Sequence, residues 1–94
     1  MRCNQLKIER HDDGWAVLHL KYGTLRVAPT QKGGKILAND LQDLPILKIE
    51  YRSDGFIDLH LKGRVWGTQI YTYIPSEFAH LENFLRYRNE ASVL

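Results

Sequence analysis

Cysteine is almost absent from the chain: Cys3 is the only one in 94 residues. A disulfide scaffold is therefore excluded, and so is a Cys-x₂-Cys metal motif. Long apolar runs are missing as well. Nothing approaches the roughly 18–20 uninterrupted apolar residues of a membrane span, so none is expected. Met1 to Arg10 carries no apolar stretch of the kind found in a signal peptide, and a cytoplasmic setting is expected. Neither sign of charge dominates, since 13 Lys and Arg face 11 Asp and Glu, for a formal +2. The pI of 8.8 is mildly basic, below the value above about 9 typical of committed nucleic-acid domains. Hydrophobic residues make up 44%, too many for intrinsic disorder.

What is present fits one globular domain over residues 1–94. Period-two alternation dominates. A first strand is expected over about 4–10, where Leu6 and Ile8 share a face. Residues 15–22 form a second strand, with Ala16, Leu18, Leu20 and Tyr22 on one face and Trp15, Val17, His19 and Lys21 on the other. Gly23 and Thr24 turn the chain, and Leu25 and Val27 resume the alternation. Residues 29–45 read as loop around Lys32-Gly33-Gly34-Lys35, with a short strand at Ile36-Leu37 and one helical turn at 39–43. Residues 46–52 and 56–62 form a hairpin across Ser53-Asp54-Gly55, because Asp-Gly suits a turn that needs positive φ. Leu47, Ile49 and Tyr51 share one face of the first strand, and Ile57, Leu59 and Leu61 are placed inward on the second. A last strand covers 69–74.

The period then changes. Pro75-Ser76-Glu77 opens a helix over about 76–89, with Ser76 as its cap. Phe78, Leu81, Phe84, Leu85 and Arg88 repeat at three- and four-residue spacing, one face of a helix. The expected fold is α+β, a six- or seven-stranded antiparallel bent sheet or open barrel capped by one C-terminal helix. The sequence shows no internal repeat.

The carriers of that order are Leu44-Pro45-Ile46-Leu47-Lys48-Ile49, Asp54-Gly55-Phe56-Ile57-Asp58-Leu59, Ile70-Tyr71-Thr72-Tyr73 and Phe78 to Leu85. Together they resemble the pleckstrin-homology-like superfold, including its bacterial PH and GRAM branches. The resemblance implies a binding domain. Lys21 and Arg26 flank Gly23 in the first hairpin, where phosphoinositide-binding members carry spaced basic residues, but no further arginine follows two residues on. Tyr71-Thr72-Tyr73-Ile74-Pro75 also resembles the strand-to-helix passage of the small KTSC domain, without its Lys-Thr-Ser-Cys start.

The residues point to binding rather than catalysis. Lys32-Gly33-Gly34-Lys35 lacks the Gly-x₄-Gly-Lys-Ser/Thr pattern of a phosphate loop. Glu50, Asp54 and Asp58 surround one hairpin but alternate with its apolar face, so they are expected in solvent. His11, His19, His60 and His80 form no zinc-type spacing. His19 and His60 stand mid-strand, where a cross-strand pairing is open to them, but exposed imidazoles on a polar face are the commoner arrangement. No metal, cofactor or enzymatic activity is expected. The aromatics are the surplus. Trp15, Phe56, Trp66, Tyr71 and Tyr73 fall on faces opposite the inward aliphatic set or not fixed relative to it, and exposed aromatics would stand beside Lys62 and Arg64. Trp, Tyr and Arg are enriched where proteins dock, so the expected role is a non-catalytic binding or adaptor domain with a protein partner or a second copy. The alternative is an anionic headgroup or nucleic acid held by Lys21, Arg26, Lys32 and Lys35, with Lys62 and Arg64.

Overall fold

The structure, a computed structural model, describes residues 5–93, with the side chains of residues 5–89; Cys3 and Asn4 lie outside them. Strands β1 (Lys7–His11), β2 (Gly14–His19) and β3 (Gly23–Ala28) pair in chain order as one antiparallel sheet. Helix α1 (Gln31–Asp43) follows. Strands β4 (Ile46–Tyr51), β5 (Ile57–Lys62) and β6 (Thr68–Tyr73) form a second antiparallel sheet, and helix α2 (Pro75–Val93) closes the chain. The fold is α+β, with antiparallel strands and a C-terminal helix. The chain runs twice through the same order, three strands and a helix, although its sequence carries no visible repeat.

The expected single bent sheet or open barrel is not formed: the strands make two three-stranded sheets. The reason is α1, which occupies the stretch read as loop, strand and helical turn. Gly33-Gly34 looks like a break, since glycine costs a helix interior about 1 kcal/mol against alanine. Here Thr30 caps the helix with its hydroxyl, accepting the Gly33 N–H at 3.0 Å. A Cβ on Gly33 would crowd that same hydroxyl at 3.0 Å, whereas one on Gly34 would meet Ile8 Cγ2 and Trp15 Cβ only in ordinary contact, at 3.5 and 3.6 Å. Gly34, Leu37, Ala38 and Leu41 then form a buried stripe at helical spacing. The helix stops at Asp43, where Leu44 N–H donates to Asp40 C=O at 3.0 Å and Leu44 is extended ahead of Pro45.

The core gathers side chains from both sheets and both helices. In β5 the alternation holds: Ile57, Leu59 and Leu61 are buried. In β2 burial does not follow the alternation: Ala16 and Val17, on opposite faces, are both 0% exposed, His19 is buried, and Leu20 is 72% exposed. A bulge between Val17 and Leu18 shifts the register, and the unforeseen α1 packs on the Trp15 face. His19 stacks on Tyr22, with ring centroids 5.1 Å apart, and lies 5.4 Å from Phe84 of α2. It belongs to the first sheet and His60 to the second, so they are not cross-strand neighbours. A bulge between Ile46 and Lys48 likewise disturbs β4. Ile46 and Ile49 meet the core, and Leu47 and Tyr51 are exposed.

Helix α2 begins one residue earlier than expected, at Pro75, so Ser76 is inside it rather than its cap, and it runs on to Val93. Its stripe is as read: Phe78, Leu81, Phe84, Leu85 and Arg88 are all buried. Arg88 Nη1 donates to Leu41 C=O at 2.7 Å. One of the otherwise orphaned carbonyls in the last turn of α1 is thereby satisfied. Burial lowers the Arg88 pKa below the usual arginine value.

Candidate functional site

Strands β5 and β6 are joined by residues 63–67. Gly63 N–H donates to Gly67 C=O at 3.0 Å and closes this loop. A Cβ on Gly63 would stand 2.6 Å from the Trp66 carbonyl oxygen, and Gly67 has φ +81°. Only glycine fits the first position, and the second is in the region glycine favours. The tip of the closed loop is Val65, 90% exposed, and Trp66, 85% exposed. These are two large apolar side chains in succession, with no core beneath them.

The base of the loop is tied to α1. Arg64 Nη2 lies 3.5 Å from Asp40 Oδ1 and 3.7 Å from Asp43 Oδ2. The other Asp40 oxygen accepts the Tyr71 hydroxyl at 2.6 Å. Desolvation, and next the hydrogen bond to Asp40, push the Tyr71 pKa well above the ordinary tyrosine value. The hydroxyl therefore stays protonated and donating. Lys62 is exposed at the end of β5, and its backbone N–H donates to Pro45 C=O at 2.9 Å. Gly63→Ala is expected to strain this loop at a cost of about 1–3 kcal/mol, the usual range for overpacking. Urea denaturation of the variant reads that loss.

Of the aromatics singled out in the sequence, Trp66 alone is fully presented. Tyr73 is a core residue at 1% exposure, because β6 turns it inward opposite Ile57. Burial pushes its pKa well above the ordinary tyrosine value. Tyr71 is half-buried and engaged with Asp40. Trp15 is half-buried on the other sheet, with the Arg10 guanidinium 5.5 Å from its ring centroid. The structure thus keeps Lys62, Arg64 and Trp66 on one loop and its flanks, links Tyr71 to Arg64 through Asp40, and places Trp15 and Tyr73 elsewhere.

The alternative basic set is not gathered as a patch of available cations. Arg26 Nη2 pairs with Glu77 Oε1 at 2.9 Å, donates to the Thr72 carbonyl, and its guanidinium stacks 3.8 Å from the Tyr73 ring centroid. Lys32 and Lys35 are exposed on α1. Lys21 follows β2, with Nζ 5.5 Å from the Tyr22 ring centroid. A cavity of about 460 Å³ opens where β3, α1, β6 and α2 meet, but the two charged groups lining it, Arg26 and Glu77, already neutralise each other.

Val65 is the member of the site that sequence reasoning missed. Its only signal was position: it stands beside Trp66 between Gly63 and Gly67, where strand periodicity has ended. Phe56 and Ile74, both exposed, form a second and smaller apolar surface with Pro75 at the opposite end of the second sheet. In comparisons with protein-family models, with curated proteins and with solved structures, nothing matches this chain.

Proposed function

We propose that this chain is a small non-catalytic binding domain that docks on a protein partner through the β5–β6 loop. The observation that carries this reading is the exposure of Val65 and Trp66 on a loop held in one shape. Isolated exposed apolar residues are ordinary. Two neighbours at the tip of a closed loop, one of them tryptophan, are less so. A preorganised loop loses little freedom on binding. Tryptophan is among the residues most often found at the energetic centre of an interface. Lys62 gives this anchor a cationic rim, while Arg64 fixes the loop to α1.

The pleckstrin-homology-like resemblance enters through the second half of the chain, where β4, β5, β6 and α2 keep the order of hairpin, strand and helix. A cytoplasmic setting accords with a single cysteine; among the described residues no helix is long and apolar enough to cross a membrane. The anionic alternative has less support, because Arg26, the basic residue at the centre of its first hairpin, is engaged by Glu77.

The test is affinity capture from a lysate of the native cells at low and high salt. Wild type, Trp66→Ser and Leu20→Ser are compared. A protein retained at both salt levels by wild type and by Leu20→Ser, but lost with Trp66→Ser, is the expected result. Trp66→Ser itself is expected to change stability by no more than about 0.5 kcal/mol, as exposed positions do. Capture indifferent to Trp66→Ser, or of nucleic acid released at high salt, overturns the reading.

A further inference from the structure

The outer face of the second sheet holds a group of side chains that the loop does not use. Glu50 on β4 stands directly opposite Asp58 on β5. His60 is two residues further along β5, on the same face. One ligand atom from each of the three lies within 4.8 Å of the others. His60 Nε2 is already 3.1 Å from Glu50 Oε1. Asp58 is oriented from the third strand, since its Oδ1 accepts the Thr72 hydroxyl at 2.7 Å. The His60 and Asp58 side chains are only 14% and 16% exposed. Two of the three groups are therefore held in place by their surroundings and not waving in solvent.

We propose that Glu50, Asp58 and His60 form a three-ligand site for a borderline divalent transition cation of the Zn²⁺ class. One imidazole nitrogen and two carboxylate oxygens are a donor set that such ions take, with the remaining coordination positions left to water. Adjacent strands of a sheet hold the donors in fixed register. The Thr72 hydroxyl does what an outer hydrogen bond does at a metal site, which is to fix the orientation of a ligating carboxylate. The expectation of no metal came from histidine spacing in the sequence. Here the donors are ten residues apart in the chain, and pairing of β4 with β5 brings them together.

Two cations compete for the same carboxylates. Arg52 Nη1 is 3.5 Å from Asp58 Oδ1, and Lys48 Nζ is 3.9 Å from Glu50 Oε1. Arg52 has another partner to retire to, because its Nη2 pairs with Asp54 at 2.6 Å. A bound divalent ion must displace its contact with Asp58. The proposal therefore makes two predictions of opposite sign, which distinguish a site from unspecific attraction to acidic surface.

The experiment is calorimetric titration of the full chain with Zn²⁺, supported by visible absorption and histidine NMR with Co²⁺. One equivalent is expected to bind, with the His60 ring signals shifted. Glu50→Gln, at an exposed position, and His60→Gln are each expected to weaken binding by about tenfold or more, the scale on which changes around a metal matter. Arg52→Ala is expected to tighten it. His11→Ala, which removes a different surface pair of histidine and carboxylate, 3.4 Å apart, should change nothing. Absence of binding at millimolar Zn²⁺, binding unaffected by Glu50→Gln, or binding lost with His11→Ala overturns the proposal.

Discussion

Ending the chain at Ile74 is expected to leave an unfolded or aggregated product. Helix α2 supplies Phe78, Leu81, Phe84 and Leu85 to the core, all buried. Full burial of such a side chain contributes roughly 1.5–3 kcal/mol. Four together rival the whole stability of a small domain, about 5–15 kcal/mol. The loss would not stop there. Arg88 would no longer satisfy the Leu41 carbonyl, and the Glu77 partner of Arg26 would be gone. The rings of Phe84 and Tyr87 against His19 would also vanish, leaving a histidine on an uncovered apolar surface. Three-stranded sheets are near the lower limit of independent stability, and neither sheet here has a second layer without the helices. Circular dichroism and sedimentation of the 1–74 fragment check this. A soluble fragment that melts cooperatively would show that α2 is an appendage, and its apolar stripe would then be a docking surface in its own right.

Leu59→Ala is expected to cost about 2–5 kcal/mol, the range for truncating a buried leucine. The position is the middle of β5, the central strand of the second sheet, between Ile49 on β4 and Tyr71 on β6. Leu59 is 0% exposed. Its neighbours are tied to two strands and cannot readily collapse into the space left behind, which favours the upper part of the range. Leu47→Ala, on the exposed part of the adjacent strand, serves as the control and should stay within about 0.5 kcal/mol of wild type. Equal midpoints for the two variants in urea would mean that the faces of this sheet are assigned the wrong way round.

Much of the second half was legible in the sequence, and for a physical reason. In β5 and α2, burial follows local period without interruption, so Ile57, Leu59 and Leu61, and Phe78 through Arg88, are found where the pattern puts them. The first half resisted because tertiary packing overrides local preference there. Gly33-Gly34 reads as a break, yet the Thr30 cap and the buried stripe of Leu37, Ala38 and Leu41 carry α1 through it. Missing that helix also hid a layer that packs on β2, where Ala16 and Val17 are buried on opposite faces. Bulges at Val17/Leu18 and Ile46/Lys48 displaced the faces of two strands without any marker residue. At the candidate site, Trp66, Lys62 and Arg64 were legible because they lie within five residues of one another. Tyr73 was not, since a tyrosine in an alternating strand carries no sign of which sheet face the core will take.

The most direct measurement of the central claim, that Trp66 is the anchor for a protein partner, is site-specific cross-linking inside living cells. A photoreactive phenylalanine derivative replaces Trp66 in one strain and Leu20, also largely exposed, in another. The account predicts a discrete protein adduct from position 66 that position 20 does not give. The absence of an adduct at 66, the same adducts from both positions, or an adduct to nucleic acid would contradict it.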